Sequence, residues 1–539
     1  MKSECLPFSQ IPHTTRLFAD FISNHAKVQQ FYPRSAHFNE WFKDEASRLT
    51  YDATRRQQVS AILESQNRSW GASAKTLENI ARLRVGASAV VTGQQVGLFG
   101  GPLFAIFKAL TAVRLADEAS QAGIACVPVF WLATEDHDLE EVNQASIPGP
   151  DFSLHKLTVP THGIPDAPVG SVQFGRDVDA VVQAASVLLG PSEISDFIRE
   201  SYRPNETFGS AFARLFSRLF ADWGVILLDA ADPELHAIAE PVYRGATEHA
   251  AELDEALLNR GKALEAAGYH QQVNVTPSST LLFTLRDGAR VPVHRRVDGK
   301  ATAEFLIGQE RLSQAELLSR VAGSPQDFSG NALLRPVIQD YLLPTLAYTG
   351  GSAEVAYFTQ AAVVYEKLLG RVTPIVPRFS ATIVETKPKT LLERYGLRFT
   401  DLFQGPENLR ELMAARTLPE ELQSAFDQAE TSMEKSLATI RDGLARLDPT
   451  LVDSATNAMS KMQYQLTQLR AKAARAELRH TEVLTRKADV LSSLLYPGKA
   501  LQEREIAGMY FVARHGREFL RGIYETIHPD CLDHQVITM

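Results

Sequence analysis

The sequence predicts an α/β protein: a mainly parallel sheet core with inserted connecting segments, followed by a C-terminal α-helical antiparallel coiled coil. Three observations predict it. Apolar runs ending in glycine or acidic residues alternate with helical stretches at residues 90–143, from about 212 to beyond 233, and at 333–369. Strands that alternate with helices imply parallel pairing. After about Pro388 the chain changes to long helical patterns whose apolar residues step by three and four, the period of a coiled coil. A chain of 539 residues also exceeds what one ordinary core organises.

Residues 1 to about 85 read as amphipathic helices. Residues 89–91 form a strand that meets a loop with Gly93, Gly97, Gly100 and Gly101; a helix follows over 102–122 and a strand over 124–132. Residues 144 to about 200, with Pro and Gly at 147–150 and 163–165, read as loops and short strands. A helix over 214–223 leads to a strand at 225–228 closed by Asp229. Asp232-Pro233 starts the next helix, with Asp as cap and Pro in the first helical position. Residues 272–305 are β-rich. Then 345–349 is a strand, Gly350-Gly351 turns, Ser352 caps a helix, and 374–377 is a further buried strand. The implied domains are a core at 1–387 with insertions near 144–211 and 260–330, a coiled coil at 388–497, and a helical segment at 498–539 that returns to the core.

In the coiled coil, helices run from about 419 to 447 and from about 451 to 496, broken at Asp448-Pro449. In the second, Met459, Met462, Leu466, Leu469, Ala473, Ala476 and Val483 form a heptad seam, with His480 in the skipped position. Phe426, Ala429, Met433, Leu437, Ile440, Leu444 and Leu447 give a rougher seam in the first.

Bulk composition narrows the function. Net charge is −9 without a long basic block, which disfavours nucleic acid as the main partner. Lys108 interrupts the longest apolar stretch, so no membrane span is expected. The N-terminus lacks a signal-peptide apolar core. Cys5, Cys126 and Cys531 form neither a disulfide framework nor a metal pair. A soluble cytoplasmic protein is the expectation.

Two motifs carry the chemistry. The loop from Gly93 through Gln94, Gln95, Gly97, Gly100 and Gly101 is neither a dinucleotide GxGxxG nor a P-loop. It either brings backbone N–H groups to an anionic ligand at a helix N-terminus or is a tight turn packed on the sheet. The cluster Glu135, Asp136, His137 and Asp138, with Glu140 and Glu141 behind and Asn143 closing it, lies at a strand end. So many charges need a cation, an amine or solvent to offset them. The readings are Mg²⁺ coordination, a general base, or recognition of an ammonium, against a solvated helix cap. Gly350 and Gly351, with Tyr348 before them and Glu354 and Tyr357 after, repeat the strand–glycine–helix logic. Arg335, Gln339 and Asp340 lie on an apolar stretch, as buried pairs or substrate contacts. Arg378, with Arg371, is a candidate carboxylate or phosphate clamp. Ser432–Ser436 and Met459–Met462 imitate a synthetase lysine loop, but their methionines lie on the seam. Cys126 reads as a buried inert thiol, and Cys531 with His534 is too sparse for zinc.

At VVTGQQVGLFGGP, PVFWLATEDHDLEEVN, SYRPNETFGSAFARLFSRLF and LLRPVIQDYLLPTLAYTGGSAEVAYF the chain resembles the BshC family, the cysteine ligases of bacillithiol biosynthesis, over essentially its whole length. The resemblance implies a Rossmann-like core with inserted connecting segments and a coiled coil used to form a homodimer. It implies joining of the L-cysteine carboxyl to the amine of glucosaminyl malate, the last step toward this low-molecular-weight thiol. Such an amide bond needs carboxylate activation, most simply by ATP with Mg²⁺, and no permanently bound cofactor. On this reading the glycine loops hold anionic groups, Glu135, Asp136, His137 and Asp138 serve Mg²⁺ or the amines with His137 as base, and Arg335 or Arg378 engages malate. The alternatives are another ATP-dependent ligase or nucleotidyl transferase, or a non-catalytic dimeric scaffold for a partner ligase.

Overall fold

The computed structural model describes residues 2–296, 304–416, 420–478, 482–528 and 530–539, with the backbone alone at 420 and 474–478. Two compact units result. Ser3–Ala381 with Glu503–Gln535 forms the first, and Thr382–Gln502 with Val536–Met539 forms the second.

The first unit is built on a five-stranded parallel sheet of β1 (Ser88–Gln94), β2 (Cys126–Leu132), β3 (Ile226–Asp229), β4 (Thr345–Gly350) and β5 (Ile375–Pro377). The order across the sheet is β5-β4-β1-β2-β3. β1 and β2 pair in parallel from Ser88↔Cys126 to Gln94↔Leu132. Every residue of β2 and β4 is buried, as expected of parallel strands covered on both faces, whose sequences read as unbroken apolar runs. The chain builds outward from β1 to β3, then returns to the other side of β1 to lay down β4 and β5. The order therefore reverses between β1 and β4, and ligands of open α/β sheets bind in the crevice at such a reversal.

The helices that connect these strands include α1 (Leu103–Gln121), α2 (Phe208–Leu219), α3 (Pro233–Glu248) and α4 (Ser352–Leu369). The turn into α1 needs glycine. Gly100 and Gly101 take φ of +83° and +73°, and a Cβ on Gly97 would stand 3.1 Å from the Gly101 Cα. Tyr202 braces this turn by accepting a hydrogen bond from Gly100 N at 3.2 Å. The segment at 506–508 clamps it through Leu103 N to Ile506 O at 2.9 Å and Gly508 N to Gly101 O at 3.1 Å. α2 begins earlier than its apolar pattern alone indicates, because Thr207 and Ser210 form a capping box. Asp232 caps α3 with Pro233 in its first turn. α4 is capped at Gly351 rather than at Ser352, because the Glu354 side chain accepts from Gly351 N.

The insertions differ in part from expectation. Gln144–Pro148 and Leu154–Thr158 form an antiparallel ribbon, but two helices follow, Asp177–Leu189 and Glu193–Ser201. Val178, Val182, Ala185 and Leu189 bury one face of the first at helical spacing, a signal that outweighs the nearby Pro and Gly. The β-rich stretch is an antiparallel five-stranded sheet in the order Glu310–Ser313, Glu304–Ile307, Ala289–Arg296, Ser279–Arg286, Phe328–Gly330. The N-terminal region is helical after a strand at Lys2–Leu6.

In the second unit, helix Glu420–Leu447 lies against helix Val452–Leu478. Arg470 bonds Asp427 at 2.7 Å and Gln463 bonds Glu434 at 3.3 Å, so residue numbers rise along one helix as they fall along the other, an antiparallel hairpin. Helix Glu482–Leu495 follows. The seam is only half covered. Phe426 is buried, but Ile440, Met462 and Leu469 are 53%, 48% and 56% exposed. His480 lies outside the described residues, as does the side chain of Ala476.

Candidate active site

A cavity of about 370 Å³ opens at the reversal between β1 and β4, within the size range of metabolite pockets. Gly93, Gln94 and Gln95 line it from the end of β1, and Phe104 and Lys108 from α1. Trp131, Ala133, Asp136 and Glu141 come from β2 and the turn after it. Tyr348, Gly351, Ala353, Glu354 and Tyr357 come from β4 and α4, and Arg335, Arg378 and Arg504 complete the wall. Gly93 permits the close strand approach here, since a Cβ would stand 3.0 Å from the Trp131 carbonyl oxygen. Gly350 serves Glu354 in the same way, with 2.8 Å from a built Cβ to the Glu354 Cβ.

Lys108 is the hinge of the site. It is 4% exposed in the apolar first half of α1. Its ammonium donates to Gly93 O at 2.7 Å and to Gln94 Oε1 at 2.9 Å, and pairs with Glu354 at 2.6 Å. Glu354 also accepts from Gly351 N at 2.7 Å and from the Tyr348 hydroxyl. Burial pushes the Glu354 carboxyl up, but the Lys108 charge and these donors outweigh it and hold the pKa below the usual value. Burial lowers the Lys108 pKa against the opposing pull of Glu354, with Arg378 and Arg335 adding to the lowering.

Two donors in the wall are buried and unpaired. Arg335 is satisfied by Gln339 at 3.2 Å and the Tyr357 hydroxyl at 2.8 Å. Arg378 gives its terminal nitrogens to Phe379 O and Glu503, each at 2.7 Å, but among the described residues its Nε has no partner. The indole Nε1 of Trp131 is likewise buried without a partner, in a residue 1% exposed. An unsatisfied buried donor costs about 1–3 kcal/mol, so two of them lining one cavity mark where an acceptor fits. Arg504, at an exposed position, adds a further cation.

The opposite wall is acidic. Gln95 Nε2 donates to Asp136 Oδ2 at 2.6 Å and to Glu141 Oε2 at 2.8 Å. The Glu141 carboxyl is pushed up, first by partial removal from water and further by the charges of Asp138 and Asp136, against the lowering effect of Gln95.

The acidic cluster was expected to act at one point; the structure separates its members. Consecutive residues of the turn after β2 point in different directions. Asp136 faces the cavity. Glu135 turns away to His236, 3.2 Å off, beside a cavity of about 40 Å³ that also touches Ala231 and Ser329. His137 accepts from Arg290 at Nδ1, 3.2 Å away, with its ring beside Phe283. Asp138 caps a one-turn helix by accepting from Glu141 N at 3.1 Å. Among the described residues no group of three or more His, Cys, Asp or Glu is placed to hold a metal ion. Gly97, Gly100, Gly101, Asn143, Gln339, Asp340 and Gly350 are not part of the lining. Gln339 and Asp340 form a buried network behind Arg335, with Thr373 donating to Asp340. Lys108, Phe104, Trp131 and Arg504 were not singled out from the sequence as site residues. A lone lysine on an apolar helix just after a glycine loop was the available signal for the first.

Comparison with known proteins matches the same architecture. The family model "Bacillithiol biosynthesis BshC, N-terminal Rossmann-like domain" matches residues 1–379, and "Bacillithiol biosynthesis BshC, C-terminal coiled-coil domain" matches 381–539. The chain belongs to the BshC family. A BshC protein of Koribacter versatilis, described as "Putative cysteine ligase BshC", is 49% identical over 537 residues, covering 100% of both chains. Relatives with the same description are 37% identical in Solibacter usitatus, covering 100% of both chains, and 33% identical in Salinibacter ruber, covering 97% of this chain and 96% of the relative. The BshC core is thus the first unit's sheet, and the BshC coiled coil contains the hairpin. Among the described residues no helix is long and apolar enough to cross a membrane.

Proposed function

We propose that this BshC chain is an ATP-dependent cytoplasmic ligase that joins the carboxyl of L-cysteine to the amine of glucosaminyl malate, and that the cavity at the β1/β4 reversal is its active site. The observation that carries the proposal is the pair of unpaired buried donors, Arg378 Nε and Trp131 Nε1, in a wall that also holds Lys108 and Arg335. Malate offers two carboxylates, and guanidinium groups suit them geometrically. The opposite wall of Asp136 and Glu141 suits the ammonium of glucosaminyl malate.

A carboxylate does not form an amide with an amine unaided, and ATP supplies the activation. Phosphate oxygens suit Arg378 and Arg504 of the same wall. The Gly93–Gly101 turn has no P-loop pattern, so side-chain cations rather than a cradle of backbone N–H groups take that role. Mg²⁺ enters with the nucleotide, as it commonly does when protein supplies few ligands.

Ile440, Met462 and Leu469 are exposed apolar residues at heptad seam positions, and this supports a homodimer formed through the coiled coil.

The test is reconstitution. Purified protein, glucosaminyl malate, L-cysteine, ATP and Mg²⁺ are incubated and the product read by mass spectrometry. A cysteinyl product with release of AMP or ADP is expected, and the nucleotide identifies the activation route. Nucleotide turnover without that product favours a ligase or nucleotidyl transferase for other small molecules. No turnover from folded protein favours a scaffold for a partner ligase.

A further inference from the structure

One chain of hydrogen bonds crosses the cavity floor from its cationic to its acidic side, and its direction is fixed by chemistry. Lysine can only donate, so the Gln94 atom that faces Lys108 at 2.9 Å must be Oε1. Gln94 Nε2 is therefore left to donate, and it does so to Gln95 Oε1 at 3.3 Å. With its oxygen engaged, Gln95 has only its NH₂ group for the carboxylates, and it spends one hydrogen on Asp136 at 2.6 Å and the other on Glu141 at 2.8 Å. Paired amides beside a glycine thus act as a rectifier: they present donors, never acceptors, to two carboxylates.

Asp136 is held twice, since His137 N also donates to it at 2.8 Å. Glu141 is engaged through Oε2 alone among the described residues, and it stands on the exposed side of the cavity. The unpaired Trp131 Nε1, 1% exposed in the same cavity, independently marks the space between the walls as a ligand's place.

Resting on the ligase reading above, we infer that Glu141 is the base that takes the proton from the attacking sugar amine, that Asp136 is the anion that binds the ammonium beforehand, and that Gln95 is the residue that positions both. The R–NH₃⁺ group gives one proton to the Glu141 carboxylate. The freed nitrogen lone pair forms the C–N bond to the carbonyl carbon of a cysteinyl phosphoric anhydride. The C–O bond to the phosphoryl group breaks and that oxygen leaves with the electron pair. The second nitrogen proton passes to Asp136 or to solvent, leaving a neutral amide. The charged groups facing Glu141 are Asp136 and Asp138, which favour its protonated form, and Lys108, which opposes it; a carboxylate so placed accepts a proton more readily than one in water.

The test compares two nucleophiles in wild type, Glu141→Gln and Glu141→Asp. The first is glucosaminyl malate. The second is hydroxylamine, which is unprotonated at neutral pH and needs no base. Glu141→Gln is expected to lose about 100-fold or more in kcat with glucosaminyl malate, the range for removing a general base, and to form cysteine hydroxamate at the wild-type rate. Its residual ligation should rise with pH toward the amine's own titration, and Glu141→Asp should recover part of the rate. Equal ligation by Glu141→Gln and wild type overturns the assignment to Glu141. Equal losses with both nucleophiles also overturn it, because the residue then serves activation or folding. No product from wild type with either nucleophile removes the ligase reading itself, and that outcome is distinct from the other two.

Discussion

Lys108 and Glu354 meet at 2.6 Å beneath the cavity, and through them the helix that follows the first glycine loop is tied to the helix that follows the second. The pair spans the reversal of the sheet order. It is almost dry, with side chains 4% and 15% exposed, so each charge depends on the other. Removing one partner of a buried pair typically costs 3–5 kcal/mol, mostly from the charge left behind.

Lys108→Met is therefore expected to lower stability by about 3 kcal/mol, read as a shift in the urea midpoint at constant slope. The double variant Lys108→Met with Glu354→Gln should recover much of that loss. A double variant that sums the two single losses would contradict the pairing.

Trp131→Phe removes the indole N–H with its five-membered ring and keeps a six-membered aromatic ring. The loss of a neutral hydrogen bond, about 1 kcal/mol, should raise KM for glucosaminyl malate about fivefold with kcat little changed. Arg378→Ala should cost more, at least tenfold, and also loosens Glu503, which accepts from it at 2.7 Å. Steady-state kinetics on both variants separates the two effects.

His137→Ala should reduce kcat less than tenfold. Its Nδ1 faces Arg290 at 3.2 Å and its side chain is not part of the cavity wall. A loss of 100-fold or more in the ligation assay would return the base role to His137.

The sheet was legible because buried parallel strands are written as unbroken apolar runs, and β2 and β4 are of that kind. The helices at Asp177–Leu189 and Glu193–Ser201 were not, because Pro and Gly on both sides masked a short apolar period. At the site, Gly93, Gln94, Gln95, Asp136, Arg335, Tyr348, Gly351, Glu354, Tyr357 and Arg378 come together in one cavity. Residues adjacent to them in sequence separate, since a turn sends Glu135, His137 and Asp138 in directions that spacing cannot reveal. Lys108 and Arg504 lie 396 positions apart by their own numbers, and only the folded chain puts them on one wall.

Stability should also fall in mild acid through His534. Burial, against the partial offset of Glu503, lowers its pKa from 6.5 to about 4, and it is bonded to Ser380 at 2.7 Å. The unfolded chain then binds a proton below pH 6.5 that the folded chain refuses until about pH 4. The contribution is fully present above the unfolded value and is lost as pH falls through that window, up to about 3 kcal/mol in all. Urea midpoints at pH 7.5 and 5 should differ less in His534→Gln than in wild type.

Coiled-coil substitution tests the assembly separately. Leu469→Asp places a charge on an exposed apolar position and should shift a dimer to monomer by light scattering while the core's urea midpoint stays unchanged. An unaltered mass for Leu469→Asp, with wild type dimeric, would place the contact elsewhere.

The most direct measurement is calorimetric titration of glucosaminyl malate into wild type, Arg378→Ala and, as a control outside the cavity lining, Leu469→Asp. One site per chain is expected in wild type, with binding at least tenfold weaker in Arg378→Ala and wild-type affinity in the control. Equal affinity for wild type and Arg378→Ala would contradict the assignment of this cavity as the active site.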